Sequence, residues 1–156
     1  MTTQQLRLSR QIPASAEQVW AVLTNIEAAP RTLSDVMRVE MLTPGPYAVG
    51  TRWRETRKMF GFEGTEEMEV AVADAPHRTV IVADSAGAAY RTEFLLSPIS
   101  GSPDAIQLTM VFSAAPQAQG GLKGRLMGVM AKVGMKATRT AMEQDLEDIA
   151  AAATRL

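Results

Sequence analysis

Between Val49 and Ser113 the chain alternates apolar and polar residues and breaks every ~8–12 residues into turn chemistry, the pattern of consecutive antiparallel strands. The alternation predicts strands at Gly50–Met59, Thr65–Asp74, Thr79–Asp84, Ala88–Pro98 and Ala105–Ser113. The breaks fall at Gly61-Phe62-Glu63-Gly64, Ala75-Pro76-His77-Arg78, Ser85-Ala86-Gly87 and Ser100-Gly101-Ser102-Pro103. Met68/Val70/Val72, Tyr90/Phe94/Leu96 and Ile106/Leu108/Met110/Phe112 each keep one parity, so one face of the sheet is covered and the other is wet.

What flanks this run supplies the cover. Leu6, Leu8 and Ile12 alternate as a first strand that Pro13 ends, although Arg10 breaks its apolar face. Ser15 and Gln18 form a capping box ahead of Val19, Trp20, Val22 and Leu23, which predicts a short amphipathic helix. Pro30 opens a second brief helical turn. Met37, Val39 and Met41 make another strand, closed by Thr43-Pro44-Gly45-Pro46. After Pro116 a helical stretch from about Leu122 to Ala153 would reach about 45 Å at 1.5 Å per residue. The order is β-α-α-β6-α, an α+β class. A seven-stranded antiparallel sheet with one apolar face and only these helices to hide it must curl around the long one, and such a grip leaves an interior gap.

At 156 residues the chain is read as one domain over 1–156, able to bury roughly 70% of its unfolded surface without a staple. Zero Cys excludes thiolate-ligated zinc, iron–sulfur clusters and a cysteine nucleophile. A net charge of −1 gives no basic excess for nucleic acid. Residues 1–10 lack the apolar core of a signal peptide, and nowhere do ~18 apolar residues run together. A cytoplasmic location with no membrane insertion is the expectation.

Along the last helix, Leu122, Leu126, Val129, Met130, Val133 and Ala137 form one apolar stripe, while Met135, Met142, Leu146 and Ile149 fall on another sector. Gly134 stands at the changeover, which predicts a bend there, or two partners, one per stripe; a broadly buried helix is the alternative. Gly120, Gly124 and Gly128 recur at i, i+4, i+8, which allows close packing or leaves empty volume. Ten Met against eight aromatics suit a pocket for a varied guest, or else a loosely specified core. Lys132, Lys136, Arg139, Glu143 and Glu147 share a face that reads as solvated.

Candidate chemistry gathers in Thr51-Arg52-Trp53-Arg54-Glu55-Thr56-Arg57-Lys58-Met59, where Trp53, Glu55, Arg57 and Met59 share a parity. If Trp53 faces inward, both charges do too, and an inward Glu/Arg pair is a polar anchor in an apolar pocket. Hairpin closure setting Arg57 opposite Glu66 and Arg54 opposite Glu69 would give a charged hairpin needing no ligand. The Tyr90 hydroxyl either points into the cavity or caps an ordinary core residue. His77, the single histidine, sits in a turn and reads as surface; alone it supports neither a Ser-His-Asp relay nor a His-based metal site. Glu63, Glu66, Glu67 and Glu69 alternate along a strand without converging, and Gly120-Gly121-Leu122-Lys123-Gly124 matches no phosphate loop. No metal site or cofactor is implied.

Four segments carry a family resemblance: Ile12-Pro13-Ala14-Ser15-Ala16-Glu17-Gln18-Val19-Trp20, Val49-Gly50-Thr51-Arg52-Trp53, Ala75-Pro76-His77-Arg78 and Gln144-Asp145-Leu146-Glu147-Asp148-Ile149. With the element order, they resemble the START-like helix-grip superfamily, specifically its polyketide cyclase/dehydrase and lipid-transport group, often called SRPBCC. The resemblance spans essentially the whole chain and implies a curved seven-stranded sheet wrapped around a long C-terminal helix, an internal cavity and a small apolar guest such as a lipid, polyketide or other ring compound. It transfers no catalytic residue. The leading expectation is a binder in which Trp53, Tyr90, Phe94, Met110, Met130 and Gly134 line the cavity while Glu55 and Arg57 fix a polar head. The rival is an aromatase/cyclase or hydratase, with Glu55 or Tyr90 as general base or acid and Arg57 holding an enolate. A third reading uses the first helical stripe for a homodimer.

Overall fold

The computed structural model describes residues 4–85, 87–116 and 129–156, with the side chains of 85, 116 and 129–133 outside the description. Seven strands form one antiparallel sheet in the order β1-β7-β6-β5-β4-β3-β2. They are β1 (Gln4–Ile12), β2 (Val36–Met41), β3 (Arg52–Met59), β4 (Phe62–Asp74), β5 (Arg78–Ser85), β6 (Ala88–Ile99) and β7 (Ser102–Pro116). Between β1 and β2 lie α1 (Ala16–Thr24), a 3-10 turn (Ile26–Ala28) and the single turn α2 (Ala29–Thr32). The chain ends in α3 (Val129–Ala153). The helix-grip architecture is therefore as the sequence implies, with β4 to β7 running further than the alternation alone marks and β3 starting two residues later.

The capping box forms as written: Ser15 Oγ accepts from the Gln18 amide at 3.1 Å, and Gln18 Oε1 accepts from the Ser15 amide at 2.9 Å. Ladder irregularities at Val36/Arg38, Val70/Val72 and Pro98/Ile99 bend a sheet that would otherwise only twist. Its concave face packs on α3, whose Met142, Leu146 and Ile149 meet Trp53, Val70, Leu108 and Phe112 in one core. Asp148 ties the outer side of α3 to the loop before β2, its Oδ2 accepting from the Ser34 amide and hydroxyl at 2.8 Å each. Lys136, Arg139, Glu143 and Glu147 are exposed.

Two expectations change. The β3–β4 turn is the pair Phe60-Gly61, with φ of 51° and 82°, so the ladder begins at Met59↔Phe62 and Gly64 lies within β4. The register slips by two residues from the one expected: Arg57 faces Gly64, Glu55 faces Glu66, and Arg54 faces Glu67. A slip of two preserves which face every side chain occupies, so only the partners change. The outer ion pairs accordingly join Arg54 to Glu40 at 2.9 Å and Arg52 to Glu67 at 3.0 Å.

The bend at Gly134 is present: φ of 77° and ψ of 175° interrupt α3 at that residue. The stripe from Leu122 to Val133, the Gly120/Gly124/Gly128 spacing, and with them the dimer reading, fall outside the described residues and side chains. Among the described residues no helix is long and apolar enough to cross a membrane.

Candidate functional site

The strand period fixes which β3 side chains can meet α3. Arg52, Arg54 and Lys58 point away from the core, whereas Trp53, Glu55 and Met59 are buried and Arg57 is 22% exposed at its side chain. These inward residues form part of the wall of a cavity of about 150 Å³ between sheet and helix that opens partly to solvent. Phe94, Met110, Phe112, Met142 and Ile149 supply its apolar lining. Tyr90 stacks on Phe112 with ring centroids 5.8 Å apart.

One end of the cavity is polar. Arg57 donates through Nε to Glu55 Oε1 at 2.7 Å and grips Asp145 of α3 with both terminal nitrogens, Nη1 to Oδ1 at 3.1 Å and Nη2 to Oδ2 at 3.0 Å. The other Glu55 oxygen accepts from the Trp53 indole at 3.1 Å. Both carboxylate oxygens of Glu55 are thus occupied, and the planar guanidinium matches Asp145 as a two-toothed fork. This chain of bonds pins β3 to α3 across the cavity wall.

The electrostatics follow from burial. Desolvation opposes charge on Arg57, but Asp145 and then Glu55 outweigh it and hold the guanidinium protonated well above its ordinary range. Burial raises the Asp145 carboxyl despite the opposing pull of Arg57. Glu66 also lines the cavity, across the ladder from Glu55. Its carboxyl is raised first by desolvation and next by the Glu55 charge, with Arg57 only partly opposing. Tyr90 is 5% exposed, and its hydroxyl is buried without a hydrogen-bond partner among the described residues. Desolvation, then Glu66, pushes that phenol above its usual range.

Of the residues singled out by sequence, Trp53, Glu55, Arg57, Tyr90, Phe94 and Met110 are brought together around this cavity. Gly134 is not: it is exposed at the kink and absent from the wall, and with no side chain it has nothing to present to the cavity. The Met130 side chain lies outside the description. His77 is exposed in the β4–β5 turn. Sequence reasoning missed Asp145 and Glu66 as lining residues. Each carried a signal, since Asp145 is a lone acid in the Met142/Leu146/Ile149 stripe, and Glu66 shares the parity of Met68 and Val70.

Comparison with known proteins follows the same outline. The family model described as polyketide cyclase / dehydrase and lipid transport matches residues 3–154. No curated protein sequence matches the chain. Among solved structures, the Zhui aromatase/cyclase from Streptomyces sp. R1128 superposes with a TM-score of 0.78 at 15% identity, covering 99% of this chain and 95% of that one. A START superfamily protein from Mycobacterium smegmatis gives 0.74 at 13% identity, covering 97% of each. Norcoclaurine synthase from Thalictrum flavum, a point mutant in complex with a transition-state analogue, gives 0.71 at 15% identity, covering 99% and 96%. At these identities the likeness is one of fold.

Proposed function

We propose, on the premise that this chain belongs to the polyketide cyclase/dehydrase and lipid-transport family, that it binds or carries a small, largely apolar molecule in the cavity between its sheet and α3. The observation that carries this reading is the joining of an apolar hollow to a buried polar end, with Arg57 held between Glu55 and Asp145 at the wall. A chain selected only for stability would fill such a hollow and replace the ion triad with apolar side chains of similar volume. An apolar cavity of about 150 Å³ accepts a guest the size of benzene. One ring, or a ring with its substituents directed to the open side, is therefore the scale of the buried part.

The test is thermal: the full chain is melted alone and with a panel of phenols, polyphenols, fatty acids and sterols. A guest at 100 times its dissociation constant adds about 2.7 kcal/mol, several degrees in Tm for a chain of this length. No shift with any guest overturns the reading.

A second reading, an aromatase/cyclase or hydratase on a poly-carbonyl chain, is favoured by the Tyr90 hydroxyl, without a partner among the described residues, and the raised Glu66 carboxyl in the same wall. We assign the acid–base roles in that case to Tyr90 and Glu66, since both Glu55 oxygens already accept hydrogen bonds. Under this reading Tyr90→Phe abolishes ring closure of a poly-β-ketone thioester while leaving its binding within a few-fold. Equal turnover by the variant removes it.

A further inference from the structure

Deepening the proposal of a binding cavity, and resting on it, we infer that the buried end of the guest is an apolar ring bearing a cationic nitrogen, and that carboxylates are excluded. The charges facing the cavity come from three elements: Glu55 and Arg57 from β3, Glu66 from β4 and Asp145 from α3. Asn25 and Tyr90 add neutral groups. Three carboxyl groups therefore face the cavity beside one guanidinium, whose Nε already donates to Glu55 and whose terminal nitrogens are paired with Asp145.

Arg57 is thus electrically satisfied and offers an incoming carboxylate little. A fatty-acid headgroup would add a fourth negative charge beside Glu66, with no other described cation in the wall to receive it. A protonated amine meets the opposite situation. Glu66 makes no ion pair or hydrogen bond with any described residue, and it faces the like charge of Glu55 across the ladder. An ammonium group beside Glu66 relieves that repulsion. The Tyr90 oxygen, buried and without a partner among the described residues, has lone pairs to accept one of its N–H bonds, while Phe94 and Phe112 offer apolar surface to the ring. The raised carboxyl of Glu66 is consistent with this, since desolvation and the Glu55 charge there outweigh the pull of Arg57, and a cationic guest adds to that pull.

The experiment is calorimetric titration of the full chain at pH 7.5 with three probes sharing one ring: phenethylamine, 2-phenylethanol and 3-phenylpropionate. The amine is expected to bind at least tenfold more tightly than the carboxylate, with the alcohol between them. Glu66→Gln, which keeps shape and removes charge, should cut the amine-to-carboxylate ratio at least fivefold and leave the alcohol within twofold. Tyr90→Phe should weaken amine and alcohol several-fold. If the alcohol binds and the carboxylate equals or exceeds the amine, the inference is overturned and the binding cavity stands. If none of the three binds, the cavity is no site for single-ring guests and both are overturned.

Discussion

Arg57 lies at the centre of the polar end, and its removal is not a local loss. Replacing it by Met would strand the buried carboxyls of Glu55 and Asp145 without a counter-charge, a change of the kind that costs about 3–5 kcal/mol. The combined change Glu55→Gln, Arg57→Met, Asp145→Leu removes the charges together, and urea unfolding should show it recovering more than half of that loss. A triple variant as unstable as the single one would show that shape at this site matters more than charge. Glu66 behaves oppositely. Folding raises its carboxyl above the ordinary 4.5, so the folded state holds that proton more tightly than the unfolded chain. Its contribution to stability is full below the ordinary value and is lost as pH rises through the raised one. Glu66→Gln is therefore expected to stabilise the free protein at pH 7 by up to ~1 kcal/mol, the scale of a cross-strand pair, with the gain shrinking towards pH 4. Parallel denaturation curves at the two pH values read this directly.

At the scale of elements, two backbone devices position what the side chains do. The β3–β4 hairpin turns through Phe60 and Gly61, both at positive φ, where right-handed strand twist is best matched. Phe60 sits there at 58% exposure with neither a covering neighbour nor the local hydrogen bonding that lets Asn adopt this conformation. Phe60→Asn should raise stability by about 0.5–1 kcal/mol without shifting the register that places Glu55 opposite Glu66, as amide exchange along β3 and β4 would verify. Gly134 allows α3 to change direction: its φ of 77° with ψ of 175° belongs to a region open essentially to glycine. Beyond the local backbone of α3, no described atom lies within 4 Å of an added Cβ, so the penalty for Gly134→Ala is that of the backbone conformation, about 1–3 kcal/mol, and not a clash with packed neighbours. The kink was readable in the sequence because two apolar stripes failed to align around a glycine. The hairpin register was not. Gly61 and Gly64 each offered a turn, and only the pairing of Met59 with Phe62 decides between them.

For the whole molecule, the order of elements and the inward parity of β3 were readable because each strand repeats its choice of face many times, so errors average out. The cavity wall depends instead on single contacts between distant segments, and Arg57 reaches Asp145 across 88 positions of sequence. No local pattern announces such a partner; a lone acid in an apolar stripe is the nearest sign. Whether the hollow is a site or a packing defect is decided by filling it. Ala141 on α3 is 4% exposed and lines the cavity, so Ala141→Leu directs three further carbons toward the empty space. If that space is vacant in the free protein, the added carbons exchange water for apolar contact, and at ~0.8 kcal/mol per buried CH2 stability should hold or rise by up to ~2 kcal/mol. The same carbons occupy the volume a ring would take, so the thermal shift produced by a single-ring guest should vanish. Both effects must appear together. A variant that still binds places the guest elsewhere. One that is destabilised by 1–3 kcal/mol shows a wall already packed, and the cavity then offers no room for either a carrier or a catalyst.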